Sequence, residues 1–346
     1  MKQPKLSICI ATHCRGLFIG ETLNSILSQV TSEVEIIIVD GASPDCTPEV
    51  VSEYLSNYSQ IRYYRESENS GVDRDYDKAV SYASGEYCWL MTDDDLMRPG
   101  AIDRVLSELR VANDLIIANA EVRDANLANL LSPSRLALTN DRTYLCSESE
   151  IFFSECLRYL SFIGSIIIKR ELWIDRDRSR YYGSLFIHVG VICQKPLSNA
   201  IRVISEPLIT IRFGNAMWTP RGFEIWMFMW PQLIWSFQGY SDNAKRSVYP
   251  KNPSDNPARL FYFRALGAYG LPEFRKFMRK KPRVIKLFAY VISRFPARLA
   301  NYMCILSLII FKRSSLMAIY DLSQSSTSTA AGRLLARIAQ NKIASA

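Results

Sequence analysis

The sequence is poor in the residues that build metal-stabilised or disulfide-stabilised modules. It has two histidines, His13 and His188, and its eight cysteines form no Cys-x-x-Cys pair. This spacing argues against a zinc module and a disulfide framework, so we expect reduced thiols in a cytosolic protein. The apolar run at residues 303–311 is too short to span a bilayer, which takes about 20 residues. A strand is predicted directly after Met1 and Lys2, so we expect no signal peptide.

The first third of the chain alternates short apolar strands with helical patterns. Strands are predicted near residues 6–12, 35–39, 61–65 and 87–91, with helices between them. Unbroken apolar strands separated by helices predict an α/β fold, with a mostly parallel, Rossmann-like sheet and helices on both faces. Ligands of such sheets bind beyond the carboxyl ends of the strands, where Thr12, Asp40 and residues 93–95 fall.

Three consecutive aspartates, Asp93, Asp94 and Asp95, follow the strand at residues 87–91. Clustered carboxylates repel one another unless a cation neutralises them, and hard oxygen ligands suit Mg²⁺ or Mn²⁺. An ion held there would bind a diphosphate. The alternative is a solvated turn with helix-capping acids, because Pro99 and Gly100 follow.

These segments together resemble a known family. The matching pieces are residues 10–15 (IATHCR), 37–43 (IIVDGAS), 69–71 (NSG), 77–80 (DKAV), 83–87 (ASGEY) and 93–102 (DDDLMRPGAI). In order and spacing, residues 6–105 resemble the nucleotide-sugar-binding half of family-two glycosyltransferases with the A-type fold. The resemblance implies that Thr12 and Asp40 line the nucleotide pocket. It also implies that the aspartates hold a metal ion on the donor diphosphate.

The predicted site residues follow from these motifs. The set expected to bind the nucleotide sugar is Ala11, Thr12, Arg15, Asp40, Gly71, Asp77, Asp93, Asp94 and Arg212. Several have simpler alternatives: Asp40 could cap the next helix, Arg15 could lie in solvent, Asp77 could belong to an exposed charged helix face, and Arg212 could form a surface salt bridge.

Three positions depart from the family pattern, and the first is Asp77, which stands where the family usually has asparagine. Thr92 stands where the metal motif usually begins with aspartate, so Asp93 and Asp95 are the predicted metal ligands. The segment at residues 183–189, where many members carry an acidic general base, has no acid, and His188 is its polar candidate. A histidine in an apolar run is also a common core residue. Without an assigned base, inversion or retention at the anomeric carbon stays open.

The C-terminal part of the chain has a different character. Aromatic residues crowd residues 218–240, either as core packing or as an interfacial belt. Basic residues crowd residues 275–286, next to apolar runs. Basic amphipathic helices suit an anionic cytoplasmic membrane surface, and no nucleic-acid-binding module accompanies them.

We predict a catalytic domain at residues 1–215, with a nucleotide-sugar-binding half (1–112) and an acceptor half (113–215). Residues 216–346 would form a helical, membrane-associating region.

The sequence therefore predicts a metal-dependent glycosyltransferase that is peripheral on the inner face of a bacterial membrane. The expected partners are a nucleotide-sugar donor and a lipid-linked saccharide acceptor, without nucleic acid. The resemblance extends to O-antigen sugar transferases of the abequosyltransferase type, which use CDP-abequose. Two alternatives remain: a sugar-phosphate nucleotidyltransferase, although residues 11–16 lack its glycine-rich loop, and a non-catalytic membrane-bound nucleotide-sugar-binding protein.

Overall fold

The computed structural model describes residues 3–311 and 315–344. Met1 and Lys2, and residues 312–314 and 345–346 of the predicted C-terminal region, lie outside the described residues. The chain divides into two compact units. The first unit comprises residues up to 122 with 133–212 and 236–248, and the second comprises 123–132, 213–235 and residues from 249 onward. The predicted domain boundary at residue 215 stays a prediction.

Strands and helices alternate through the first unit, and helices dominate the second. The strands are β1 (Leu6–Thr12), β2 (Val34–Asp40), β3 (Ile61–Arg65), β4 (Tyr87–Met91), β5 (Leu96–Met97), β6 (Asn113–Arg123), β7 (Leu130–Ser132), β8 (Arg142–Tyr144), β9 (Ile166–Lys169) and β10 (Ala200–Arg212). The helices are α1 (Ile19–Leu27), α2 (Thr47–Leu55), α3 (Val72–Tyr82), α4 (Ala101–Glu108), α5 (Ser149–Cys156), α6 (Arg170–Asp175), α7 (Ile187–Cys193), α8 (Gly222–Glu224), α9 (Trp230–Ser236), α10 (Asp242–Val248), α11 (Pro257–Ala265), α12 (Leu271–Glu273), α13 (Arg283–Arg294), α14 (Ala297–Ile310), α15 (Leu316–Gln324) and α16 (Ala330–Ala344).

The sheet of the first unit runs in the order β3-β2-β1-β4-β9-β6-β10-β5, and β8 pairs with β10. Strands β3, β2, β1 and β4 are parallel neighbours. The pairs β4–β9, β9–β6, β10–β5 and β10–β8 are antiparallel. The predicted α/β fold is confirmed. However, the sheet is mixed rather than mostly parallel, because β9 lies antiparallel between β4 and β6, and β10 is antiparallel to β5 and β8.

The strand sequences explain why the parallel part is buried. Every residue of β1 and β4 is buried, as expected for central strands with few polar side chains. Ile8 and Ile10 of β1 pack in the same core cluster as Leu23 and Ile26 of α1, which recur at helical spacing. Helix α3 lies against β1 and β2. It begins after Gly71, whose φ of +88° suits glycine better than other residues.

The second unit builds its own core from aromatic side chains. The ring of Phe223 packs at centroid distances of 4.7 Å from Tyr269 and 5.6 Å from Phe263. Trp230 is buried, whereas Trp218 is largely exposed. The aromatic segment is therefore mainly core packing. Across residues 3–311 and 315–344, no helix combines the length and apolarity needed to cross a membrane.

Candidate active site

The carboxyl ends of three parallel strands bring the predicted donor-site residues together. Thr12 at the end of β1 lies in register with Asp40 at the end of β2. Met91, the last residue of β4, lies opposite Ile10, so the chain beyond it reaches the level of Thr12 at Asp93. Thr12 is buried, as is Ala11 before it. The Thr12 hydroxyl lies near the Asp93 carboxylate but makes no hydrogen bond of ordinary geometry.

Asp40 is fully buried, and the protein satisfies both of its oxygens. Oδ1 accepts a hydrogen bond from the backbone N–H of Ser43 at 2.8 Å, and Oδ2 accepts one from the Tyr63 hydroxyl at 2.6 Å. The Ser43 contact closes the turn that follows β2 and is not a helix cap, because α2 begins at Thr47 with Cys46 at its N-cap position. At the next residue, Gly41, a Cβ atom would lie 2.8 Å from Oδ2 of Asp75. Contact of Asp40 with a nucleotide stays a prediction.

Two carboxylates of the acid cluster face one guanidinium group. Oδ1 of Asp93 lies 3.5 Å from Nε of Arg15, and Oδ2 of Asp94 lies 3.4 Å from Nη2 of the same residue. Burial, followed by repulsion from Asp94, raises the pKa of Asp93 to about 7, and the positive charge of Arg15 opposes this rise. Keeping both carboxylates ionised therefore costs free energy, and a further cation would reduce the repulsion between them.

Asp95 is turned into the protein. Its Oδ1 accepts a hydrogen bond from the backbone N–H of Arg212 at 2.7 Å, and its Oδ2 accepts one from the Thr92 hydroxyl. The residue is buried, and burial with repulsion from Asp94 raises its pKa. Thr92, the departure from the family pattern, is thus a hydrogen-bond donor to Asp95. Both carboxylate oxygens of Asp95 already have protein partners, which does not favour metal binding. The role of Asp95 as a metal ligand stays a prediction.

Arg212 lies beside the acid cluster, as predicted, and its guanidinium contacts both main chain and an acidic side chain. Its Nε donates to the carbonyl oxygen of Asp94 at 3.0 Å, and its Nη2 pairs with Glu21. Arg212 and Arg15 both make cation–π contacts with the ring of Phe18. Cζ of Arg212 lies 5.3 Å from the ring centroid, and Cζ of Arg15 lies 5.6 Å from it. Phe18 therefore positions two positive charges beside the aspartates.

Asp77 has its partners in the acceptor half. Its Oδ1 accepts a hydrogen bond from Nε1 of Trp173 at 2.9 Å and lies 2.8 Å from Nε of Arg178 in an ion pair. Its Oδ2 accepts a hydrogen bond from the Tyr182 hydroxyl. These contacts fasten α3 to residues 173–182. The predicted contact of Asp77 with the donor has no support from this geometry and stays a prediction.

His188 lies in α7 and is 1 % exposed. Its Nε2 lies 2.7 Å from the carbonyl oxygen of Leu160 and so acts as a donor, while Nδ1 is buried without a partner. Burial lowers its pKa to about 4. A general base is most effective with a pKa near the working pH and must reach the acceptor hydroxyl. The base role stays a prediction, and these contacts favour a core histidine.

The donor set fits a divalent ion that is completed by its substrate. No three His, Cys, Asp or Glu side chains in the described part of the chain are arranged to hold a metal ion. Yet Asp93 and Asp94 converge on one cationic group, Arg15. Mg²⁺ is commonly held by one or two carboxylates together with phosphate oxygens and water. The residues present therefore fit an ion that takes its remaining ligands from a diphosphate.

Some contacts of the site could not be found in the sequence. Phe18 carries no motif, and its stacking with Arg15 and Arg212 joins residues far apart in the chain. Another buried acid, Asp73, accepts hydrogen bonds from the backbone N–H groups of Leu185 and Ile187. These contacts hold the segment where the family carries its base. The one feature of the local sequence that could have indicated these contacts is the acidic first turn of α3, and acidic residues are also common at an ordinary helix N-terminus.

Comparison with known proteins agrees with this arrangement. The family model described as glycosyl transferase family 2 matches residues 7–176. A curated relative, abequosyltransferase RfbV of Salmonella typhimurium, is 32% identical over 231 residues, which cover 63% of this chain and 69% of the relative. A glucosyltransferase of Campylobacter jejuni, named for the substrate GalNAc(5)-diNAcBac-PP-undecaprenol, is 26% identical over 52% of this chain and 57% of its own length.

Solved structures share the fold at low sequence identity. Staphylococcus aureus TarS 1-349 in complex with UDP gives a TM-score of 0.56 at 15% identity, over 99% of this chain and 91% of that one. A mannosyltransferase from Pyrobaculum calidifontis in complex with GDP-Man and Mn²⁺ gives 0.52 at 15% identity, over 99% and 88%. Both likenesses concern the fold alone. The family match and the Salmonella relative establish that the chain belongs to glycosyl transferase family 2 and is a glycosyltransferase.

Proposed function

We propose that this glycosyltransferase is metal-dependent and moves a sugar from a nucleotide-diphosphate donor to a lipid-linked saccharide during synthesis of a bacterial surface polysaccharide. The observation that carries the proposal is the paired orientation of Asp93 and Asp94 towards one cationic group, at the strand ends where ligands of α/β sheets bind. The finer proposal is abequosyl transfer from CDP-abequose in O-antigen synthesis. Its support is the Salmonella relative.

The donor would lie across the ends of β1, β2 and β4. Thr12 and Asp40 would hold the nucleoside, and Asp93 and Asp94 would face the diphosphate. These two carboxylates would hold a Mg²⁺ or Mn²⁺ ion, which would supply positive charge to the departing nucleoside diphosphate. Arg15 can supply a bidentate contact to phosphate oxygens, because its planar guanidinium matches their spacing. Residue Asp95 would keep the acid turn in place through its bond to the Arg212 backbone.

The acceptor is proposed to be a saccharide on a polyprenyl diphosphate. The support is the name of the Campylobacter relative, which includes PP-undecaprenol. Such an acceptor stays in a bilayer, so the enzyme must work at a membrane surface. A base near the acceptor hydroxyl completes the reaction, and His188 remains the predicted candidate. The two alternatives to a glycosyltransferase, a nucleotidyltransferase and a non-catalytic binding protein, are disfavoured by the family membership.

Charge in the C-terminal part of the chain supports an anionic membrane as its partner. Residues 275–346 contain fourteen lysines and arginines and one acidic residue, Asp321. The whole protein has a net charge of +8, so the remainder of the chain is net acidic. Each basic residue near an anionic bilayer contributes roughly 1 kcal/mol of attraction. We propose peripheral association with the cytoplasmic face of the cell membrane.

Helix α13 has the two faces expected of an interfacial helix. Its inner residues Ala289 and Ser293 are buried, with Ala289 in the core of the second unit. Its outer face exposes Val284, Leu287 and Val291 at 76%, 66% and 57%. These three are spaced by three and four residues and therefore form one stripe, which can enter the headgroup region of a bilayer.

The test is a transfer assay with a panel of CDP-, UDP-, GDP- and dTDP-sugars, CDP-abequose included, and polyprenyl-diphosphate-linked saccharides as acceptors. We expect transfer from one donor, loss of transfer with EDTA, and recovery with Mg²⁺ or Mn²⁺. Asp94→Asn is the matched negative control. Transfer that persists undiminished in EDTA would contradict metal dependence. Formation of a nucleotide sugar from a sugar phosphate and a nucleoside triphosphate would instead support the nucleotidyltransferase.

A further inference from the structure

Arg15 lies against the two carboxylates, Asp93 and Asp94, on which the proposed function rests. Its guanidinium reaches Oδ1 of Asp93 and Oδ2 of Asp94 at 3.5 and 3.4 Å. The side chain is 11% exposed, and its guanidinium lies over the ring of Phe18. The backbone N–H of Arg15 donates to the Thr47 hydroxyl at 2.9 Å. The Phe18 ring thus supports the guanidinium beside the carboxylates, and the Thr47 contact fixes the backbone from which the side chain extends.

We propose that Arg15 competes with the divalent ion for Asp93 and Asp94 when no donor is bound, so that the ion binds tightly only together with a nucleoside diphosphate. The inference rests on the proposed metal-dependent function and concerns the order in which the site fills. Two cations cannot share one pair of carboxylates without repelling each other. An ion that arrives alone must therefore displace the guanidinium, which then loses its ion pairs with Asp93 and Asp94.

A diphosphate removes this obstacle because it supplies new acceptors. Its oxygens can take the hydrogen bonds of Arg15, and the two carboxylates become available to the ion. The ion and the diphosphate would then favour each other's binding, which is a positive coupling between two ligands. Arg212 is placed differently, since its guanidinium contacts the carbonyl oxygen of Asp94 and the carboxylate of Glu21. Arg15 would therefore set the dependence of ion binding on the donor.

The competition can be measured without turnover. Free Mn²⁺ is followed by electron paramagnetic resonance during titration of the full-length chain, first without nucleotide and then with CDP, UDP or GDP. Arg15→Gln removes the competing charge and should bind Mn²⁺ alone about tenfold more tightly than the wild type, within the range usual for coupled ligands. The gain in Mn²⁺ affinity on adding the nucleotide should be smaller in Arg15→Gln than in the wild type.

Two controls bracket this result. Arg15→Lys keeps a positive charge and should stay within about threefold of the wild type, well below the coupling range. Arg110→Gln removes the same charge from an exposed position and should leave Mn²⁺ binding unchanged. Arg15→Ala is the second neutral variant if Arg15→Gln melts early. Equal or weaker Mn²⁺ binding by a folded neutral variant overturns the inference and leaves the proposed function standing. Absence of Mn²⁺ binding in every variant, with and without nucleotide, overturns both.

Discussion

The buried position of His188 makes a prediction that separates its two roles. Burial lowers the pKa of His188 to about 4, against 6.5 for a free histidine. In the unfolded chain, His188 therefore takes up a proton near pH 6.5, whereas in the folded chain it takes one up only near pH 4. The stability associated with the neutral ring is fully present above pH 6.5 and is lost as the pH falls through this window. A shift of this size corresponds to about 3 kcal/mol of unfolding free energy, of which about 2 kcal/mol is lost by pH 5.

The matched variant is His188→Gln. The glutamine amide can donate to the carbonyl oxygen of Leu160 in place of Nε2 and does not titrate. We expect the free energy of unfolding of the wild type to fall relative to the variant between pH 7.5 and pH 5, by about 2 kcal/mol. His188→Leu removes the donor as well and should cost a further 1–3 kcal/mol, roughly, at every pH because the Leu160 carbonyl loses its partner.

The assay combines urea unfolding at several pH values with the transfer rate of the folded variant. For a core histidine we expect His188→Gln to retain its transfer rate within a few-fold. A general base would instead lose about 10² or more of the rate. The reasoning from burial is refuted if the unfolding free energies of wild type and variant run parallel across the pH range. It is equally refuted if a stable variant loses transfer on the scale of a missing base.

Three further predictions follow from the contacts of the site and of the second unit. Asp94→Asn should lower transfer by about 10² or more, since it removes the charge of a carboxylate proposed to hold the metal ion on the diphosphate. Asp95→Asn should keep its melting temperature and lose much less transfer, because the Asp95 carboxyl is buried with a raised pKa. Equal losses of the two variants in initial-rate assays would support Asp95 as a metal ligand. Asp77→Asn should lower the unfolding free energy by about 1–3 kcal/mol because it weakens an ion pair and its hydrogen bonds. Calorimetry should find the nucleotide affinity of the variant unchanged, whereas a lower affinity would indicate that Asp77 contacts the donor. Leu287→Glu should reduce co-sedimentation with anionic vesicles, while Val111→Ser, an exposed apolar control in the first unit, should not; equal sedimentation of both would contradict docking through α13.

The placement of the site could be predicted because it depends on local pattern. Each apolar strand, together with Thr12, Asp40 or Asp93 at or just after its end, can be recognised within one short segment of sequence. Parallel pairing then brings these strand ends together. The role of each side chain at that edge is set by partners elsewhere in the chain. Asp95 meets a backbone N–H that lies 117 residues away, and Asp77 meets a tyrosine 105 residues away. Nothing in the sequence around either acid indicates such a partner.

The prediction for His188 shows the same limit. Family spacing placed a polar residue in the segment that usually carries the base, but spacing does not say which face of α7 that residue occupies. All seven residues of α7 are buried, so the polar one is buried too. In the C-terminal part, composition predicted basic amphipathic helices, and α13 has that character. Composition alone could not show that most of the neighbouring aromatic side chains pack into a core.

The hydrogen bond between Asp95 and the backbone of Arg212 has a consequence for how the protein matures. The acid turn is translated early, yet its partner belongs to the last strand of the sheet. Domains tend to fold as units while the chain emerges from the ribosome, N-terminal part first. Until β10 has emerged and paired with β5, Oδ1 of Asp95 lacks this donor, and the turn that carries Asp93 and Asp94 lacks its support. A nascent chain that ends before residue 212 would contain every motif of the donor pocket but would lack the hydrogen bond that ties the acid turn to β10.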